Sequence, residues 1–300
     1  MKESILNLIS NTPLVRLRGQ KFSCPVYAKL EDRNPGGSVK DRTALAMVEF
    51  AERKGWLKPG GTIVEASSGN QGIALAMIGA VKGYKVVITV SQKVSAQKIK
   101  ILKAYGAKVV ICPDVLEHND PKGYYMRAKN LARRLGAYFP DQYNNPKNPL
   151  AHYRSTGPEI WRQTKGRISH LFVASGTTGT VMGIARFLKK KNKKIKVFIV
   201  DSVNSVFSNP KPSTYKTEGM GIDFVPGFFD KKLIDKVFAI RDAEAFASCR
   251  ELAKTNGLLV GGSSGAVYTA IKKYANNFQK NNLAIALFPD SGRSYLDKIF

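Results

Sequence analysis

Short runs of β-branched and apolar residues alternate along this chain with longer stretches whose apolar positions recur at helical spacing. The short runs predict strands over 26–30, 62–65, 85–90, 108–111, 170–174, 196–200, 236–240 and 283–288. The longer ones predict helices over 41–54, 72–82, 95–105, 123–135, 158–164, 243–255 and 266–276. Strands and helices alternating at this interval define an α/β protein with mainly parallel sheets, because a parallel pair needs a crossover of about helix length. Segment 138–149, rich in Asn and Pro, interrupts the rhythm near the middle, so two sheets are expected rather than one. No repeat or low-complexity tract occurs. The least regular stretch is 201–227, with Pro210, Pro212 and Pro226, and a loop of that length in a compact protein is usually functional or mobile.

The chain has 300 residues, 43% of them hydrophobic and 23% charged, which suits a globular protein with a real core rather than a disordered one. Its longest apolar stretch is the nine residues 73–81, about half of what a membrane-spanning helix needs. The first residues, Met1 to Asn7, turn acidic and polar too early for a signal peptide. Cys24, Cys112 and Cys249 are odd in number and far apart, which argues against a disulfide framework and for a reducing cytoplasm. The three histidines, His118, His152 and His170, stand alone, so no metal site is expected. The net charge is +26, from 33 Lys and 15 Arg against 22 acids. A Lys-rich balance without interleaved aromatics fits a solvated surface better than a nucleic-acid reader. The run Lys189 to Lys194 follows the helix-like stretch 181–188, where cations complement the helix dipole. The charge predicts attraction to anionic ligands without naming one.

Four turns concentrate the candidate chemistry. At Asn34-Pro35-Gly36-Gly37-Ser38-Val39-Lys40 a tight turn, which Ser38 can cap, leads into a helix and puts Lys40 in its first turn. An ammonium is disfavoured at that positive helix end, and a lysine with a lowered pKa is what Schiff-base chemistry needs; on spacing alone, one surface lysine among 33 is the preferred reading. At Ser67-Ser68-Gly69-Asn70-Gln71-Gly72 a strand runs into a helix N-terminus, a cradle for a carboxylate or phosphate. At Ser175-Gly176-Thr177-Thr178-Gly179-Thr180 the same pattern suits a dianionic phosphate, with neither the nucleotide P-loop spacing nor a dinucleotide fingerprint. Gly261-Gly262-Ser263-Ser264-Gly265 matches the nucleophile elbow of serine hydrolases, but no histidine follows it, as the order Ser, acid, His would require.

Taken in this order, the four turns resemble those of the fold-type II, pyridoxal-phosphate-dependent β-replacement enzymes, the family of cysteine synthases and cystathionine β-synthases. The resemblance runs from Asn11-Thr12-Pro13-Leu14 to Asp290-Ser291-Gly292-Arg293-Ser294-Tyr295-Leu296, and Asn34 to Arg42 is close to a family signature. It implies two α/β domains of tryptophan synthase β-like fold, each with a central mostly parallel sheet flanked by helices. Residues 1–10 and 35–145 would form the substrate-binding domain, and 11–34 and 146–300 the domain that binds the cofactor phosphate. A homodimer is implied too, as is pyridoxal 5′-phosphate as cofactor. By the same resemblance Lys40 would carry the cofactor and later serve as general base. Asn70 would bond the ring oxygen, Gly176, Thr177, Thr178, Gly179 and Thr180 would cradle the phosphate, and Ser263 would face the ring nitrogen. A hydroxyl there limits electron withdrawal into the ring and favours elimination of a β-substituent. Ser67, Ser68, Gln71 and Gln142 would take the substrate α-carboxylate.

Within the family, the stretches Asp141 to Asn145 with Asn148 to Tyr153, Glu218 to Pro226, and Phe288 to Ser291 with Arg293 to Tyr295 look like cystathionine β-synthase. Serine's hydroxide leaves poorly and needs a proton donor, a role for Tyr143, while Glu218 offers a polar partner to the incoming amino acid. Gly157-Pro158-Glu159-Ile160-Trp161 looks more like a cysteine synthase. The resemblance therefore implies β-replacement on L-serine or an activated serine through an aminoacrylate, giving cystathionine with homocysteine. The rival is cysteine synthesis from O-acetylserine or O-phosphoserine and sulfide. An amine nucleophile, suggested by Gln71, is a third reading, and a basic scaffold or nucleic-acid binder a remote fourth. Three positions depart from the family: Gln71 where Thr is usual, Ala66 where Pro is usual, and Thr178 where Gly is common. No haem-binding extension and no C-terminal regulatory module are expected.

Overall fold

The computed structural model describes residues 2–18, 22–67, 69–113 and 119–300. In chain order its elements are β1 (Leu14–Arg16), β2 (Val26–Leu30), α1 (Lys40–Arg53), β3 (Thr62–Ala66), α2 (Asn70–Lys82), β4 (Lys85–Ser91), α3 (Ala96–Ala104), β5 (Lys108–Cys112), α4 (Tyr124–Leu135), α5 (Lys147–Arg154), α6 (Thr156–Gln163), β6 (His170–Ala174), α7 (Gly179–Lys191), β7 (Lys196–Ser202), β8 (Lys236–Ile240), α8 (Asp242–Asn256), α9 (Gly262–Tyr274) and β9 (Ala284–Phe288). They belong to two compact units, Met1–Ile9 with Asn34–Asn148, and Ser10–Arg33 with Pro149–Phe300.

The first unit is built on the parallel sheet β3-β4-β5, extended by a parallel bridge between Ile63 and Tyr138. Strand β4 is buried from Val86 to Val90, as a strand covered on both faces must be. Helix α2 is correspondingly apolar all round, and Ile73 to Gly79 are buried. It begins directly after β3, so the β3–α2 turn lies at the carboxyl end of a parallel strand, where open α/β sheets bind their ligands.

The second unit carries a six-stranded sheet in the order β1-β2-β9-β6-β7-β8, parallel except for the antiparallel edge strand β1. Its core includes a cluster of Phe172, Phe198, Phe238, Tyr274 and Phe278, with Phe172 and Phe198 rings 4.8 Å apart. Strand β2 is locked to α6 by a buried ion pair: Lys29 Nζ lies 2.7 Å from Glu159 Oε2 and also donates to the Thr12 carbonyl and Gln163 Oε1. Both partners come from segments more than a hundred residues apart, so the pair ties the early strands into this sheet.

Three elements differ from the sequence expectation: the short edge strand β1, which no expected strand covers, and helices α5 and α9. Helix α5 occupies Lys147–Arg154, part of it inside a segment expected to be irregular, because Pro149 falls in its first turn, where the missing N–H is harmless. Helix α9 starts four residues earlier than its apolar period, at Gly262, and so takes Ser263 into its first turn.

Candidate active-site segments

In the first unit, the turn before α1 closes with the Gly37 N–H on the Asn34 carbonyl at 2.8 Å and the Gly36 N–H on Asp41 Oδ2 at 2.6 Å. Ser38 Oγ accepts from the Lys40 N–H at 3.2 Å, and Lys40 is the first residue of α1. One turn on, the Thr43 hydroxyl lies 3.0 Å from the Lys40 carbonyl and 2.9 Å from Gln71 Oε1. That contact ties the lysine-bearing helix to the β3–α2 turn. Gln71 Oε1 faces Thr43, and Nε2 is buried with no hydrogen-bond partner. A buried donor without an acceptor costs about 1–3 kcal/mol, a cost that a bound anion would remove.

The same turn shows why its residues are small. Ser67 Oγ accepts from the N–H groups of Gly69 and Gly72, at 3.0 and 2.9 Å, so its own hydrogen is left to donate. Gly69 has φ 142°, and a Cβ there would lie 2.9 Å from the ammonium of the buried Lys98. Gln142 donates through Nε2 to the Ala66 carbonyl at 2.9 Å, which places it beside Ser67. Its backbone N–H bonds Glu65 Oε2 at 3.3 Å, and its carbonyl accepts from Asn148 Nδ2 at 2.8 Å. Glu65 is wholly buried, and desolvation holds its carboxyl well above the usual range. The structure thus gathers Lys40, Ser67, Gln71 and Gln142 around one turn, with Asn70 opening α2. Ser68 lies outside the described residues, as does His118. Tyr143 is buried next to Gln142, its hydroxyl 3.0 Å from that of Tyr124.

In the second unit, β6 ends at Ala174 and the turn 175–178 leads into α7. The Ser175 carbonyl accepts from the Gly221 N–H at 2.7 Å, and its hydroxyl reaches Asp201 Oδ1 at 3.3 Å. Asp201 is buried, and desolvation raises its pKa to about 6. Thr178 is the N-cap of α7 at φ 60°, a left-handed conformation that is uncommon for a β-branched residue, and it makes no side-chain capping bond. Its hydroxyl is buried and without a partner. The first N–H groups of an α-helix have no intrahelical acceptor. Those of α7, in a turn that carries the hydroxyls of Thr177, Thr178 and Thr180, can receive an anion.

Gly176 and Ser263 meet at Gly219. A Cβ on Gly176 would lie 3.3 Å from the Gly219 carbonyl, and one on Gly219 would lie 3.7 Å from Ser263 Oγ. The cradle and the buried Ser263 hydroxyl are therefore neighbours, joined by the loop that carries Glu218. Glu218 itself is paired with Lys298 at 3.0 Å, so part of its charge is already engaged. Reading the sequence assigned no role to His152, Asp201 or Glu65, whose signal is a polar residue inside an otherwise apolar strand or helix face. Among the described residues no His, Cys, Asp and Glu side chains cluster as metal ligands, and no helix is long and apolar enough to cross a membrane.

The orphaned Thr178 hydroxyl at a helix N-terminus, with the Ser263 hydroxyl beside the same turn, fits a phosphorylated heteroaromatic ring. Residues 5–290 match the family described as pyridoxal-phosphate dependent enzyme, and the chain belongs to that family. Pyridoxal 5′-phosphate is accordingly its cofactor. The chain is 41% identical to cystathionine beta-synthase of Saccharomyces cerevisiae over 317 residues, covering 99% of this chain and 62% of that protein. It is 40% identical to a cysteine synthase of Staphylococcus aureus, over 98% of this chain and 95% of that enzyme. The crystal structure of O-acetylserine dependent cystathionine beta-synthase from Helicobacter pylori superposes with a TM-score of 0.94 at 34% identity, covering 100% of this chain and 99% of that one. The chain thus spans less than two thirds of the yeast protein and nearly all of the bacterial ones.

Proposed function

We propose that the protein catalyses β-replacement on L-serine, with a thiol as incoming nucleophile and cystathionine as product when that thiol is homocysteine. The observation that carries the reading is the orphaned Nε2 of Gln71, a buried donor in the turn shared by Ser67 and Gln142 and bonded to the helix of Lys40. Such a turn recognises an amino-acid carboxylate and holds it beside the lysine.

The bound cofactor supplies the electron sink that acidifies the substrate Cα–H and makes the β-substituent a leaving group. The protein's own groups do the rest. Ser67 and Gln71 donate to the carboxylate and orient the Cα–H bond, and the Lys40 amine, once released, takes that proton. Gly176 to Thr180 and the α7 N-terminus would hold the phosphate, Asn70 the ring oxygen, and Ser263 the ring nitrogen. Tyr143 donates a proton to the departing hydroxide, its hydroxyl standing 3.0 Å from that of Tyr124, with either phenol able to donate in that pair. Glu218, paired with Lys298, is the polar partner of the incoming amino acid. The family resemblance supports a homodimer, and three free, buried cysteines suit a reducing cytoplasm.

A second reading, O-acetylserine or O-phosphoserine as donor with sulfide as nucleophile, is supported by the nearly full-length likeness to a cysteine synthase. Leaving-group dependence separates the two. Tyr143→Phe should lower kcat/KM with L-serine by about 100-fold, the low end of what a general acid supplies, and with O-acetylserine by less than about threefold. Equal losses would remove Tyr143 from proton donation, and a parent that forms product from O-acetylserine alone would establish the second reading.

A further inference from the structure

His152 is the only histidine of the chain at the edge of the proposed phosphate cradle, among the described residues. It lies on α5, wholly buried, and its ring bridges two hydroxyls: Nδ1 is 2.8 Å from Thr156 Oγ1, and Nε2 is 3.1 Å from Thr180 Oγ1. Thr156 opens α6 and is also wholly buried, while Thr180 is the second residue of α7. The ring is held by backbone packing. A Cβ on Gly183 of α7 would lie 2.7 Å from the His152 Cβ and 3.0 Å from the Tyr153 nitrogen, so α5 lies directly against the first turns of α7.

A neutral imidazole has one N–H donor and one acceptor nitrogen, and each threonine hydroxyl has a single hydrogen. Two arrangements of the chain Thr156–His152–Thr180 are therefore possible. With the proton on Nδ1, the ring donates to Thr156 and Thr180 must donate to Nε2; only lone pairs of Thr180 would then face an anion. With the proton on Nε2, the ring donates to the Thr180 oxygen, Thr156 donates to Nδ1, and the Thr180 hydrogen is free to reach an anion. A phosphate dianion accepts hydrogen bonds and donates none, so only the second arrangement fits it.

We propose that His152 is a positioning residue for the cofactor phosphate: through Nε2–H it occupies the acceptor side of the Thr180 hydroxyl and turns that hydroxyl into a donor toward the phosphate. The proposal rests on residues 176–180 being the phosphate cradle. Thr156 fixes the tautomer by donating to Nδ1. The role acts on the phosphate end of the cofactor alone, which sets it apart from general support of the fold.

The test is cofactor affinity of the apoprotein, titrated with pyridoxal 5′-phosphate and, in parallel, with pyridoxal, which lacks the phosphate. His152→Leu should weaken binding of the phosphorylated form about tenfold and leave pyridoxal within about twofold, as loss of one charge-assisted bond requires. His152→Gln, whose amide can donate from a similar place, should recover to within about threefold of the parent. In a Thr180→Val background, His152→Leu should add no further loss. Equal losses for both ligands, or a full additional loss in the Thr180→Val background, would overturn the proposal. Unchanged affinity in Thr180→Val itself would instead overturn the phosphate-cradle reading on which it rests. In the unsubstituted holoenzyme, nitrogen-15 resonances of the His152 ring should show a protonated Nε2 and a bare Nδ1. A ring protonated on Nδ1 alone would contradict the proposal even where the leucine variant fails to fold.

Discussion

Replacing Thr178 by glycine should make the apoprotein more stable and its cofactor binding weaker. Thr178 holds φ 60°, which costs a residue with a Cβ about 1–2 kcal/mol, while glycine adopts it freely but gives up about 0.5–1 kcal/mol of extra chain entropy on folding. The substitution also removes a buried hydroxyl with no partner, worth about 1–3 kcal/mol of desolvation. The sum is a gain of about 1–4.5 kcal/mol without cofactor, read as a higher denaturation midpoint of the apoprotein with an unchanged m-value. The holoenzyme loses a hydrogen bond to an anion, worth about 1.5–3 kcal/mol, so the dissociation constant of pyridoxal 5′-phosphate should rise about tenfold or more. Opposite signs in the two measurements identify a threonine retained for its ligand. A destabilised apoprotein, or cofactor affinity equal to the parent's, would refute the reasoning.

Three further substitutions probe other parts of the account. Glu159→Leu strands the buried Lys29 ammonium and should cost about 3–5 kcal/mol of stability in denaturant unfolding, more than half of it regained in the Lys29→Met, Glu159→Leu double variant; a double variant as unstable as the sum of the singles would count against the pair. Burial raises Asp201 from the ordinary aspartate value of 3.8 to about 6, so the folded form holds its proton longer and stability falls as pH rises through that window. Asp201→Asn should therefore gain roughly 3 kcal/mol relative to the parent between pH 4 and pH 7, and parallel pH profiles would exclude this. Gln71→Leu removes the orphaned donor and should raise KM for the amino-acid substrate about tenfold with no loss of cofactor affinity; an unchanged KM would remove Gln71 from substrate binding.

The parts of the site that were legible in sequence are those made by local backbone chemistry. A strand, a few small polar residues and a helix start were enough to mark the turns at 67–72 and 175–180, because the free N–H groups of a helix terminus need only neighbouring residues to form. Lys40 was placed in a first helical turn by the Pro-Gly-Gly turn ahead of it. Its chemistry was not legible from spacing, since 33 lysines compete for the role. What sequence could not supply is long-range partnership. The bond from Thr43 to Gln71 spans 28 residues, and so does that from His152 to Thr180. Strand alternation likewise says nothing of β2 pairing with β9, which joins Val26 to Ala284. Helix α5 escaped notice because Asn and Pro signal a turn locally, while its packing against α7 decides otherwise.

The central claim is that one lysine among 33 carries the cofactor. Borohydride reduction of the purified holoenzyme, followed by proteolysis and mass spectrometry, tests it directly. The account predicts a pyridoxyl-phosphate adduct on the peptide containing Lys40, lost when the protein is treated with excess L-serine before reduction. An adduct on any other lysine, or none in a protein that still holds stoichiometric cofactor, would contradict it.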